Sequence, residues 1–209
     1  MIRTSGARAL IVLALLVVVG ALPLFAQAKP AAAAAASVAA APKAQAPVFL
    51  TSCGQSPGAV TVGVFLRRLQ IDYDLKETGT VKDLGVKPYK TIIIVTGSSL
   101  KGMGGAGVSI DDELARASAL IAEAKKRGIQ VIGAHVEGME RRARNAAPGD
   151  NSDEMSIDAV CPKAKMLIVR KDGDEDGRFT ALGKKFGIPV VFYAKSLELN
   201  GVIKDLFGK

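Results

Sequence analysis

The chain has 209 residues, 49% hydrophobic and 23% charged, with 22 glycines, two cysteines and a single histidine. Its formal charge of +8 falls to about +4 once Arg3, Arg8, Lys29 and Lys43 are set aside (8 minus 4). No basic stripe carries interleaved aromatics, so a nucleic-acid surface is excluded, and one histidine rules out a multi-histidine metal centre.

The first 28 residues read as a secretory signal. Arg3 and Arg8 flank the apolar run "ALIVLALLVVVGALPLFA", and Ala26-Gln27-Ala28 supplies a small-x-small cleavage site just after Pro23. The alternative is a retained membrane anchor, because the run is about long enough to span a bilayer. Cleavage after Ala28 makes the protein secreted or periplasmic, with membrane contact only through the signal before its removal. Residues 29–46 are rich in alanine and proline and have no apolar stripe, so they read as a disordered linker. Residues 47–209 then form one α/β domain with a full core.

In chain order, "APVFLTSCG" is a buried strand and "AVTVGVFLRRLQ" a helix. "IDYDLKET" alternates like a strand, and "GTVKDLGVKPY" connects it to "KTIIIVTGSS". That last run is continuously β-branched, the mark of a strand covered on both faces. A glycine-rich loop, "GSSLKGMGGAG", follows. "SIDDELARASALIAEAKKRG" is the clearest helix: Ser109 is a natural N-cap with Asp112 three residues on, and Lys125, Lys126, Arg127 and Gly128 close it. "IQVIGAHVEG" is a strand, and "SDEMSIDAVCPKA" a helix stopped by Pro162. "KMLIVRKDG", "RFTALGKKFG", "IPVVFYAKS" and "LELNGVIKDLFG" continue the alternation as strand, helix, strand and helix.

Such alternation predicts a three-layer sandwich around a mainly parallel, flavodoxin-like or Rossmann-like sheet of about six strands. With strand order 2-1-3-4-5 and a sixth strand at the edge, the order reverses between strands one and three, where ligands of such sheets gather. The segments "TSCGQS" and "GSSLKGMGGAG" would be neighbours there. Together with "AEAKKRGIQVIGAHVEG" and "GDNSDEMSIDAVCPKAKMLIV" they resemble an uncharacterised family of secreted bacterial α/β domains, a domain of unknown function. The resemblance implies the fold and the place of a site, and no activity.

The glycine-rich segment fails as a phosphate loop, because Met103 stands where G-x-x-x-x-G-K needs lysine. Gly102 to Gly107 matches G-x-G-x-x-G, but after the third strand, and Asp111, Asp112 and Glu113 would repel a pyrophosphate at the next helix. A singly charged or neutral ligand suits better. Gly97, Gly102, Gly104 and Gly105 would let backbone approach it, with Ser98, Ser99 and Lys101 as polar partners. Across the switch point stand Ser52, Gly54, Gln55 and Ser56, with His135 and Glu137 as a wall. The bland reading of the same glycines is a surface loop without a ligand.

Cys53 lies near a helix start, which would activate a thiol. Neither C-x-x-C nor C-x-x-x-x-x-R follows it, since Ser56 and Ala59 occupy the decisive places, so a small packed residue is the plainer reading. Cys53 falls just past one strand's C-terminal end and Cys161 just before another strand; these are opposite edges of a parallel sheet, which argues against a disulfide. His135 is a candidate ligand contact, catalytic base or structural residue, although no G-x-S-x-G nucleophile turn accompanies it. Arg141, Arg142 and Arg144 form either a solvated face or a clamp on a carboxylate. Asp172, Asp174 and Asp176 have calcium-loop spacing, but Gly183 stands where an EF-hand needs glutamate. Calcium binding there competes with a hydrated acidic turn, and no other cofactor is indicated.

The sum of these features is an exported protein that binds a small polar or carboxylated ligand at the sheet's C-terminal edge. A hydrolase or transferase using Cys53 or His135 is the rival, and a ligand-free protein interaction module the third reading. Intact-mass analysis of the exported protein is expected to find Lys29 as its first residue. Met1 retained in the membrane fraction would reverse the export reading.

Overall fold

The computed structural model describes residues 43–143 and 151–209. The expected signal, most of the expected linker and Arg144 lie outside them. Six strands form one all-parallel sheet: β1 (Val48–Cys53), β2 (Tyr73–Leu75), β3 (Thr91–Thr96), β4 (Gln130–His135), β5 (Met166–Arg170) and β6 (Val190–Tyr193). Their order is β2-β1-β3-β4-β5-β6, so the chain reverses direction across the sheet between β1 and β3. The helices are α1 (Gly58–Arg68), α2 (Leu100–Ala106), α3 (Ile110–Lys126), α4 (Ser152–Val160), α5 (Arg178–Phe186) and α6 (Glu198–Phe207). Among the described residues no helix is long and apolar enough to cross a membrane.

The β-branched run of β3 is buried along its whole length, and its side chains divide between two cores. Ile93 and Val95 join Val62 and Leu66 of α1 and Val202 and Ile203 of α6 on one face. Ile92 and Ile94 join Leu120 of α3, Ile157 of α4 and Phe179 of α5 on the other. This is the three-layer sandwich that the alternation predicts. The predicted capping box is present on α3: Asp112 N donates to Ser109 Oγ at 3.1 Å, and Ser109 N donates to Asp112 Oδ2 at 2.8 Å.

Two local readings change. The glycine-rich stretch is not a loop throughout, because Leu100–Ala106 is helical. Ser99 caps it by accepting from Gly102 N, Met103 buries its side chain against the body, and Gly107 ends it in the left-handed conformation. These tertiary and capping contacts override the low helix propensity of glycine. The second change is at the N-terminus. Residues 43–46, expected in the linker, dock on the domain: Ala44 is buried and its N–H donates to Leu206 O at 3.0 Å. Gln45 exchanges two bonds with the Thr91 hydroxyl, at 3.2 and 2.8 Å.

Three such bonds at about 1 kcal/mol each predict that a chain starting at Pro47 loses about 3 kcal/mol against one starting at Lys43. Urea denaturation of the two chains measures this, and equal midpoints would show that the docked segment contributes nothing.

Candidate functional site

At the switch point the loops after β1 and β3 are zipped together. Ser99 N donates to Gly54 O at 2.7 Å, and Gln55 pairs with Ser98 in an isolated antiparallel bridge. Gly54 has φ of +97°, and a Cβ there would lie 2.8 Å from Gly97 O and 2.9 Å from Ser98 Cα. The close approach of these two backbones therefore requires glycine at 54. Gln55 also holds a positive φ of 57°, and its Nε2 donates to Glu77 O. The sequence places these residues side by side, and the structure spends their backbone groups on one another.

The side chains expected to line a cradle are likewise engaged. Ser56 is buried and donates its hydroxyl to Glu137 Oε2, while Gly58 N donates to both Ser56 Oγ at 3.1 Å and Glu137 Oε2 at 3.3 Å. Glu137 lies beyond the end of β4 and so acts as an N-terminal anchor for α1. Arg141 bridges Glu137 Oε1 at 3.3 Å and Ser98 O at 2.8 Å. Ser98 N donates to Asp153 Oδ1 at 2.5 Å, its Oγ accepts from Ser152 at 2.7 Å, and Gly97 N donates to Ser156 Oγ at 2.8 Å. Burial holds the Asp153 carboxyl above its usual range, against the pull of the Ser98 amide and Arg141. Ser52 is fully buried, and its Oγ has no hydrogen-bond partner among the described residues. Lys101 is exposed on α2.

Below the zipped loops sits a buried ion pair. Arg116 Nε and Nη2 each donate to the Glu113 carboxylate at 2.8 Å, and Gly54 N donates to the same group at 2.9 Å. Burial would raise this carboxyl, but Arg116 and the amide outweigh it and hold it below the usual range. Arg116 also reaches Ser52 O at 2.6 Å and Gly79 O at 2.9 Å. Glu113 reads in sequence as one of three first-turn acids. Its spacing from Ala117, Leu120 and Ile121 is the signal that it faces the core.

The candidate catalytic groups occupy packed positions. Burial first, and Glu113 second, push the Cys53 thiol up to about 12, so it is not a thiolate at neutral pH. Cys53 and Cys161 are both free. His135 is fully buried, 4.9 Å from the Phe179 ring. Its Nε2 lies 2.9 Å from Gly138 O and its Nδ1 3.2 Å from Thr96 Oγ1. A carbonyl only accepts, so Nε2 carries the proton; in the neutral ring Nδ1 is then an acceptor for the Thr96 hydroxyl, which also lies 3.3 Å from Ala134 O.

The arginine cluster does clamp carboxylates, and they are the protein's own. Arg142, with its side chain 1% exposed, binds Glu154 at 2.7 Å and Asp176 at 2.6 Å and lies over the Phe179 ring. The three calcium candidates diverge: Asp172 pairs with Arg170 at 2.7 Å, Asp176 with Arg142, and Asp174 caps α5 through Phe179 N at 2.6 Å. Among the described residues no group of three or more His, Cys, Asp or Glu side chains is placed to hold a metal ion.

An open concavity remains beside the zipped loops. It is a half-open groove of about 440 Å³ between α2, the turn into α3 and the start of α4, lined by Leu100, Met103, Gly104, Val108, Ser109, Ile110 and Ser152. Its walls are apolar with two hydroxyls, a feature invisible to a reading of residues 97–107 as loop. Leu100, 79% exposed, forms its lip.

Residues 45–207 match the profile of the family described as domain of unknown function DUF6305, and the chain belongs to that family. No curated protein matches it. Among solved structures it is similar to the acetyl xylan esterase AlAXEase (9% identity, TM-score 0.36, 78% of this chain and 80% of that one). TesA is similar at 9% identity and TM-score 0.33, over 78% of this chain and 97% of its own. A GDP-L-fucose synthetase from Naegleria fowleri bound to NADP is similar at 11% identity and TM-score 0.32, over 73% of this chain and 50% of its own. At such scores these likenesses bear on neither site nor activity.

His135 generates a pH prediction. Burial lowers its value from 6.5 to about 4, so the unfolded chain binds a proton that the folded one refuses between those values. Stability contributed by the neutral ring is present above 6.5 and is lost as pH falls towards 4, by about 3 kcal/mol. Denaturation at pH 7 and pH 4 should show that excess loss in the unmodified protein relative to His135→Gln. Parallel losses would mean that the ring is not held neutral.

Proposed function

We propose that this member of DUF6305 is an exported binding module for a small molecule with a short apolar body and one polar or carboxylate end. The observation that carries the reading is the groove at the sheet's C-terminal edge. Its volume falls in the range of small-molecule sites, and a few hydroxyls set among apolar side chains are the usual composition of such sites. Leu100, Met103, Val108 and Ile110 would take the apolar body, with Ser109 and Ser152 at the polar end, their hydroxyl protons held by Asp112 and Ser98 but a lone pair left on each to accept from the ligand. Lys101, exposed on the same short helix, supplies a cation for a single carboxylate. Asp111 and Asp112 at the start of α3 disfavour a multiply charged anion. Neither Cys53 nor His135 supports a catalytic reading, since one is protonated in the core and the other has both nitrogens engaged.

A thermal-shift screen of short carboxylic acids, sugars and amino acids on the mature protein tests this. A ligand at about a hundred times its Kd should add roughly 3 kcal/mol and raise Tm by several degrees. Gly104→Leu should abolish the shift, because Gly104 lines the groove and a bulkier residue there has room to project over it. Lys101→Ala should weaken carboxylates alone. A hit indifferent to Gly104→Leu would place the site elsewhere, and no hit would leave the interaction module. Ester hydrolysis that is lost in Cys53→Ser or His135→Gln would replace binding with the hydrolase reading.

A further inference from the structure

The three glycines inside α2 are there for different reasons. A Cβ at Gly102 would lie 2.8 Å from Gln55 O and 3.1 Å from Gln55 Cβ, so packing over the zipped loops demands glycine. Gly104 and Gly105 are exposed, and a Cβ at either meets nothing within 4 Å. Neither holds a positive φ. Each nevertheless weakens the helix about four- to five-fold relative to alanine. The helix is also only seven residues long, and Met103 is its one buried residue. A helix so short has little stability of its own and depends on its end contacts. Those contacts are the Ser99 cap at one end and, at the other, the bonds from Gly107 N to Gly104 O and from Val108 N to Met103 O.

Beneath α2 lie the backbone groups that a switch-point ligand would use, paired with each other through Gln55, Ser98, Gly54 and Ser99. We propose that α2 is a gate over the switch point: it opens by local unfolding between Ser99 and Gly107 and uncovers the loops after β1 and β3 to a small polar ligand. Gly104 and Gly105 set how often it opens, and Gly102 lets it close flush on Gln55. The closed gate also forms one wall of the groove, so opening reshapes that groove. The identity of what enters rests on the binding reading above, whereas the opening is a property of the free protein.

Residue-resolved hydrogen exchange on the ligand-free mature protein tests the gate. The amides of Met103, Gly107 and Val108 should exchange through a local opening, at least about a hundred-fold faster than the paired amides of β1 and β3. The pair Gly104→Ala and Gly105→Ala should slow them about twenty-fold and leave the strand amides unchanged. Gly102→Ala should speed them, because its methyl group meets the Gln55 carbonyl. Protection of α2 equal to that of β3, or indifference to the alanine pair, would overturn the proposal. If α2 opens as stated while no compound in the thermal screen stabilises the protein, the opening stands and the binding reading falls.

Discussion

One carboxylate organises the functional end of this fold. Glu113 is fully buried beneath the end of β1, so its charge depends chiefly on Arg116 and the Gly54 amide. Removing one partner of such a pair costs several kcal/mol, since the other charge is left buried. The arrangement fixes three elements at once. Glu113 and Arg116 belong to α3, Gly54 and the Ser52 carbonyl to the end of β1, and the Gly79 carbonyl to the connection leading to β3. With Gly54 pinned from below, its carbonyl is aimed at Ser99 N, and the zipped loops follow from that one orientation.

A second network works from the side. Arg142 gathers Glu154 of α4 and Asp176 of the turn before α5, and Arg178 binds Glu154 again at 2.9 Å and Asp158 at 2.7 Å. The Arg142 and Arg178 charges are thus committed to the protein's own carboxylates.

Much of the architecture was legible from periodicity. The unbroken β-branched run of β3 needs cover on both faces, and the capping box with basic C-terminal residues delimits α3 within the expected bounds. The reversal between β1 and β3 follows from the strand order. Side-chain commitments were harder to read. His135 and Glu137 fall two apart and suggest one strand face, yet β4 ends at His135 and the next turn sends Glu137 to cap α1. The helical state of α2 was hidden because glycine propensity argues against it, while the buried Met103 and the Ser99 cap are tertiary facts. Asp172, Asp174 and Asp176 share a spacing, but their partners, Arg170, the α5 amides and Arg142, come from three places that spacing does not encode.

The docking of Ala44 fixes the pole of the domain at which the described chain begins. Ala44 bonds to the end of α6, and Gln45 to the first residue of β3, so both lie at the edge where the strands begin. The groove and the zipped loops lie where the strands end. Lys43 therefore lies at the pole of the domain opposite the groove. The docked segment and the groove are separated by the full length of the strands, so a change in one need not disturb the other.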